Sequence, residues 1–458
     1  MRAALLLALI AALPAPAGAQ TPAAVTTGQE STIGALMRAE REHLAKECSP
    51  SFKALYKCPI VLFTGKPFHL AIGSMPPRNG VGLGIAFVYH QFSVKQDRSW
   101  SADAVVSPNG SWRAGGYQKT VFTTIELPTV IPIGTNPTPA RESGVKIRPY
   151  PVLDFYVQGT SLKEIALFGL ETGGSRPAPR TFEERQVILG SKLVRPLSTS
   201  LPSTIIADAN LRLFSVGEPG LEDEPALSRS GSTFVDASVS YRLAPSLAKD
   251  RLRLDYSTGL KRFLAVSGSG PSFSRWTAEL KNEWALYGTR SIVSESDTVG
   301  PNDCAGADGN QQCPPVSVSR NYYGSLQLNV LGSFSSDRTP VFLRPTLGGT
   351  DVDGRKNLLA YSDYRFRGTS VLVTTATFEH YVASIIGLSA IAEYGFVGDE
   401  HQAISWARRH GSMGLGVSIR VGALPVAHVL FARGSEGRRV VVLLDTTLLG
   451  GSKRPGLQ

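Results

Sequence analysis

The chain has 458 residues, 42% of them hydrophobic and 18% charged, and lysine plus arginine outnumbers aspartate plus glutamate by 47 to 37, a formal charge of +10. The basic surplus is spread along the chain instead of forming a run, which excludes a nucleic-acid stripe and fits solvated loops, with anionic lipid headgroups as the other use. Past the N-terminus no uninterrupted apolar run approaches the roughly 18 residues that a spanning helix needs; the closest, 382–392, ends at Glu393.

Residues 1–19 read as a secretory signal peptide: Arg2, an apolar stretch from Ala3 to Leu13, and a small-residue exit Ala17-Gly18-Ala19. No cysteine follows closely, the first being Cys48, so a lipid anchor is not expected. The mature chain would begin near Gln20 and form one large β domain. Residues 20–79 read differently from the rest. Ser31 caps an expected helix through about Lys46, with Ile33, Leu36, Met37 and Leu44 at helical spacing. This makes a short periplasmic prelude or barrel plug, with a partly ordered tail as the equal alternative.

Four cysteines fall into two local pairs, Cys48 with Cys58 and Cys304 with Cys313. In an exported chain these read as two disulfides. Zinc is the competing reading, and no histidine adjoins either pair to favour it.

From Gly80 to Leu449 the pattern becomes strands separated by turn-rich stretches such as Pro108-Asn109-Gly110, Pro177-Ala178-Pro179 and Gly217-Glu218-Pro219-Gly220. Strand centres fall at 87, 103, 118, 151, 166, 188, 208, 237, 254, 279, 324, 373, 390, 416, 429 and 443, sixteen in all. In 384–396, Ile386, Leu388, Ala390, Ala392, Tyr394 and Phe396 share one face, with Gly387, Ser389, Glu393 and Gly395 on the other. The segment 322–330 repeats this, with Leu326, Leu328 and Val330 against Ser325, Gln327 and Asn329. One face suits lipid and the other water, so the expected fold is all-β, a transmembrane antiparallel β-barrel of about 16 strands.

An even strand count returns both termini to one side, the periplasm for a bacterial outer-membrane barrel. Leu424-Pro425 reads as a tight periplasmic turn. The connections 288–316 and 332–365 are long enough for extracellular loops, which would put Cys304 and Cys313 outside the cell. Residues 450–458 are a C-terminal tail.

Enzymatic motifs are missing from the sequence. The histidines at 43, 69, 90, 380, 401, 410 and 428 form no HExxH pair, and there is no Gly-x-Ser-x-Gly elbow, Walker loop or Gly-x-Gly-x-x-Gly helix entrance. Gly80-Val81-Gly82-Leu83-Gly84 is expected to open the first strand as flexible seam glycines. Asp303, Asp308 and Asn310 do not match a calcium loop and read as solvated. A phospholipase would need a linked serine, histidine and acid on the lipid-facing wall, and nothing in the sequence ties such residues together. No enzyme activity, metal or cofactor is expected.

Leu347-Gly348-Gly349 and Asp363-Tyr364-Arg365-Phe366-Arg367-Gly368 resemble the loop and following strand of the BamA/TamA-like surface-antigen superfamily of outer-membrane barrels. Ile391-Ala392-Glu393-Tyr394-Gly395 is similar to its acidic element in the thirteenth strand, and Gly434-Ser435-Glu436-Gly437 to the turn before its last strand. The resemblance covers roughly residues 80 to 449. It implies a role in inserting or translocating unfolded outer-membrane or secreted client proteins, through a seam between first and last strands, with no cofactor. It also implies loop and barrel-interior contacts at Gly348, Gly349, Tyr361, Asp363, Arg365, Arg367, Gly368, Glu393 and Gly395.

Three departures matter. Where the family has Arg-Gly-Tyr this chain has Leu359-Ala360-Tyr361, so the arginine that would meet Glu393 is missing. An unpaired buried carboxylate is costly, so Arg355, Lys356, Arg365 or Arg367 is expected to compensate. The soluble receptor (POTRA) repeats do not fit between Gln20 and Gly80. The final strand also lacks the usual terminal aromatic. The missing repeats and the missing arginine favour the alternative, a passive pore or structural surface barrel that has lost assembly activity, and the missing aromatic implies altered recognition by the assembly machinery.

Overall fold

The computed structural model describes residues 32–48, 67–93, 96–122, 150–168, 179–198, 201–217, 232–248, 251–266, 270–294, 317–383, 386–398, 409–421 and 424–444. One helix, α1 (Thr32–Glu47), precedes the sheet. The long strands are β1 (Phe68–Ser74), β2 (Val81–Phe92), β3 (Asp97–Val106), β4 (Trp112–Val121), β5 (Val152–Leu167), β6 (Arg180–Ser198), β7 (Ser203–Gly217) and β8 (Ser232–Leu243). They continue with β9 (Leu252–Ala265), β10 (Phe273–Ser294), β11 (Ser317–Ser335), β12 (Ser370–Ala383), β13 (Ile386–Gly398), β14 (Arg409–Val421), β15 (Leu424–Gly434) and β16 (Gly437–Leu444). Each pairs antiparallel with its sequence neighbour, and the only other member of this 17-stranded sheet is the two-residue piece Ser246–Leu247. Among the described residues β1 pairs with β2 alone and β16 with β15 alone.

Parity divides the faces of many of the strands. On β2, β6, β14 and β16 the exposed side chains are Leu83 and Ile85, Leu189 and Leu193, Met413 and Leu415, and Val440 and Val442. Their alternates, Ala86, Gln186, Ser412 and Val441, are buried. A period of two sorts apolar residues outward and mostly polar or small ones inward, the signature of a wall with lipid outside and a polar interior. No helix among the described residues is long and apolar enough to cross a membrane, which says nothing of strands.

The expected count of sixteen strands was reached through two errors that cancel. Centre 151 adjoins, and centre 166 lies in, a single strand, β5, which carries a register shift between Leu162 and Ile165. That bulge breaks the alternation and reads as a strand boundary. The strand Phe68–Ser74 was missed, so the sheet begins at Phe68 rather than at Gly80. Its 7 residues, ahead of Pro76-Pro77, fall short of the roughly 9–11 that a membrane-spanning strand needs. Consequently Gly82 and Gly84 lie in β2 rather than in the seam strand. A Cβ on Gly84 would come within 2.8 Å of the Val105 Cα, so this glycine lets β3 approach.

The two long connections cannot share a side. They leave opposite ends of β11: β10 ends and β11 begins at the end of the sheet where β1 enters and β16 leaves, whereas 336–369 joins β11 to β12 at the other. The expectation that both are extracellular is therefore corrected by simple parity. The end carrying 336–369 is called the loop end below.

Cys48 is disulfide-bonded. Cys58, Cys304 and Cys313, and with them the pairings Cys48–Cys58 and Cys304–Cys313, lie outside the described residues, as do the signal peptide, Asp303, Asp308, Asn310 and the tail.

Candidate functional site: a loop folded into the lumen

The connection from β11 to β12 folds back between the walls. Its base is a short ladder of Thr346–Leu347 with Phe366–Arg367, and a second ladder joins Gly349–Thr350 to Lys356–Asn357. Five residues between 348 and 364 take positive φ: Gly348 (107°), Gly349 (56°), Gly354 (79°), Leu358 (45°) and Tyr364 (59°). For Leu358 and Tyr364, both fully buried, that conformation is intrinsically unfavourable and persists because packing over-determines it. At Gly348 a Cβ would stand 2.7 Å from the Ser362 carbonyl oxygen, and at Gly349 2.6 Å from Arg439 Nη1. Both glycines are required by close approach as well as by φ.

Two apolar clusters seat the loop. Phe342, Leu343, Val352 and Tyr364 pack with the inward-facing wall residues Phe182, Phe214, Phe234, Phe263 and Phe273. Leu347, Leu358, Leu359 and Tyr361 pack with Leu331, Val371, Val373, Leu430, Ala432 and Val441. The walls involved run from β6 round to β16, so the sheet surrounds the loop. Gly395 makes room for this: a Cβ there would meet Leu358 Cδ1 at 2.7 Å and Leu347 Cδ1 at 3.0 Å. Gly368 serves the loop's exit, where a Cβ would meet Val397 Cγ1 at 2.7 Å.

Polar contacts bind the loop mainly to the last hairpin. Arg365 Nη2 lies 2.8 Å from Glu436 Oε1, with the guanidinium over the Phe366 ring at 4.9 Å. Arg439 Nη2 lies 2.7 Å from Asp363 Oδ2, and Arg439 Nη1 donates to the Tyr361 carbonyl at 2.5 Å. Tyr361 donates its hydroxyl to the Gly411 carbonyl at 3.0 Å and also meets Ser435 Oγ at 2.9 Å. Asp363 Oδ1 accepts the Thr350 N–H at 2.8 Å. The Arg365–Glu436 and Arg439–Asp363 bonds are charge-assisted, and the first is largely buried, the kind whose rupture leaves a desolvated charge behind.

Glu393 reaches the loop by another route. Its Oε2 accepts the backbone N–H of Leu359 at 2.7 Å, and its cross-strand neighbour Ser412 accepts the Ala360 N–H at 3.1 Å. None of the four expected cations is its ion-pair partner among the described residues. Arg355 lies 3.9 Å from Glu279, Lys356 donates to Thr350 Oγ1 at 2.5 Å, Arg365 takes Glu436, and Arg367 donates to the Val341 carbonyl at 2.8 Å. The compensation is by a peptide N–H at the position where the resemblance implied an arginine. Sequence reasoning searched for a side chain and missed a contact that any residue's backbone can make. It also missed Arg439, which is the partner of Asp363.

Asp351 gives the loop a pH dependence. Burial, and then the negative charge of Asp353, push its carboxyl well above the usual carboxylate range; N–H bonds from Arg355 and Asp353 and the Arg355 charge pull the other way. A raised pKa in the folded form means the docked loop holds a proton that the undocked loop releases. Docking is then firmest below the ordinary value of 3.8 and weakens as pH rises through the raised one. Amide exchange of residues 350–364, corrected for intrinsic rates, should quicken from pH 5 to pH 8 in the native protein. Asp351→Asn should flatten that slope, and an unchanged slope would sink the assignment.

The fold and this site define a transmembrane antiparallel β-barrel with a luminal loop. No family model matches the chain, and no curated protein matches it. Among solved structures it is similar to CdiB from Acinetobacter baumannii at 11% identity and a TM-score of 0.45, over 80% of this chain and 56% of that one. BamA from Haemophilus ducreyi, in a form lacking POTRA domains 1-3, matches at 8% identity and 0.47, over 88% and 81%. CdiB from Escherichia coli matches at 10% and 0.44, over 88% and 72%. The chain thus spans little more than half the length of the first of these. The barrel reading rests on the alternating faces and on the loop that the sheet surrounds.

Proposed function

We propose that this protein is an outer-membrane barrel of the surface-antigen type that inserts or translocates client proteins at the seam between β1 and β16, with both termini periplasmic. The observation that carries this reading is the attachment of the luminal loop to the β15–β16 hairpin through Arg365–Glu436 and Arg439–Asp363. The loop thereby controls the strand that borders the seam. The seam strands are also the shortest long strands, seven residues in β1 and eight in β16 against 22 in β10. Few backbone bonds hold such edges, and an edge strand can template an incoming strand by backbone pairing.

A passive barrel is the second reading, favoured by one observation: Glu393 is already satisfied by the Leu359 N–H, so the loop is docked without the family's arginine. The mature protein in liposomes should accelerate folding of an unfolded outer-membrane barrel over empty liposomes, measured by heat-dependent gel mobility. Glu436→Gln, which frees the hairpin from Arg365, should change that rate severalfold. No acceleration by either form would leave the passive reading.

A further inference from the structure

The geometry points to a binding site for the phosphate of an anionic lipid headgroup on the outer wall, at the loop end beside the seam, formed by Arg409, Arg433 and Arg438. It rests on the membrane-barrel reading and goes beyond any client role. Arg433 of β15 and Arg438 of β16 are direct cross-strand partners, and both are exposed. Their parity is that of the exposed Phe431 and Val440, so both point to the lipid side. On the adjoining strand β14, Arg409 is also exposed and shares the parity of the exposed Met413, which itself pairs with Arg433.

Like charges directly opposite one another destabilise a strand pair. Among the described residues none of these three arginines has a carboxylate within ion-pair distance. A charge conflict at a two-residue hairpin turn is relieved when an anion lies between the guanidinium groups, and forked guanidinium donors match a phosphate.

The setting fixes the source of that anion. The lipid-side position between Arg409 and Met413 is Gly411, and the exposed Tyr394, its cross-strand partner, lays its ring within 3.6 Å of where a Gly411 Cβ would be. An aromatic ring beside arginines, directly above Met413, Phe431 and Val440, is the composition of a membrane interface. A group held there sits at headgroup depth with its acyl chains along the apolar strands.

The test uses the full chain, purified in detergent and checked for folding by gel mobility, with bound lipid counted by native mass spectrometry. Phosphatidylglycerol should be retained over phosphatidylcholine. Each arginine near an anionic lipid layer contributes about fivefold in affinity, so a triple arginine-to-glutamine variant should lose roughly a hundredfold, whereas the triple lysine variant keeps most of it. Arg262→Gln, which removes another exposed arginine, bonded to Ser274 Oγ at 2.8 Å on a distant strand, should change nothing. Equal retention by the glutamine triple, an equal loss in Arg262→Gln, or full displacement of the lipid by millimolar inorganic phosphate would each overturn the site. If the glutamine triple fails to fold, the single variants Arg433→Gln and Arg438→Gln, each losing about fivefold, decide the same question.

Discussion

Excising residues 346–367 and joining the cut ends with a short Gly-Ser linker should turn a nearly silent protein into a conducting pore in planar bilayers. The wall does not need those residues, because β11 and β12 pair directly over Gly324–Phe334 and Ser370–His380. The lumen does. The excised side chains occupy it at two levels, Val352 and Tyr364 against five wall phenylalanines, and Leu347, Leu358, Leu359 and Tyr361 against strands that include the last hairpin. A barrel of about 16 strands is wide enough to leave an aqueous channel when nothing fills it. The deletion also removes buried side chains worth roughly 1.5–3 kcal/mol each, so the heat-dependent gel transition should fall at the same time. A deletion variant that folds and stays silent would show that the loop is not what closes the lumen, and a wild type that conducts equally well would show the same.

What could be read from the sequence follows from the range of each interaction. Alternation is local, so the faces of 386–398 were legible residue by residue: Leu388 and Tyr394 are exposed, Ser389 and Glu393 buried. Phe396, assigned to the lipid face, is covered instead, at the strand end where it pairs with Arg409. The two long connections were put on one side because loop length was weighed and strand parity was not. The loop's partners are remote, 34 residues between Leu359 and Glu393, 71 between Arg365 and Glu436, and 76 between Asp363 and Arg439. No periodicity specifies such pairs. Gly348, Gly349, Glu393 and Gly395 were singled out by resemblance, whereas their geometry required coordinates: which side chain each glycine admits, and that Glu393 takes a peptide N–H in place of a guanidinium.

Asp236→Ala should destabilise the barrel by about 3–5 kcal/mol, the cost of breaking a buried pair by removing one partner. Asp236 is fully buried on β8 and accepts from Arg212 Nε at 2.5 Å and Asn210 Nδ2 at 2.8 Å, while Lys261 Nζ lies 3.1 Å away. Asn210 in turn accepts from the Tyr156 hydroxyl and donates to Asp208, so one carboxylate anchors polar groups from β5, β7, β8 and β9. Without it, two cations face each other in a space closed above by the phenylalanines that carry the loop; Lys261 already lies 5.0 Å from the Phe263 ring centroid. The contrast is Arg242–Asp255, at 2.5 Å but half exposed on the same part of the wall, where solvent screening limits the pair to about 0–1 kcal/mol. Urea unfolding in detergent micelles, followed by gel mobility, should rank Asp236→Ala far below Asp255→Ala. Adding Lys261→Met to Asp236→Ala should recover part of the loss, because it removes one of the stranded charges, and the non-additivity of the double variant measures the coupling. Equal effects from the two aspartates would mean that the inner wall is wet enough to screen Arg212, which its burial contradicts.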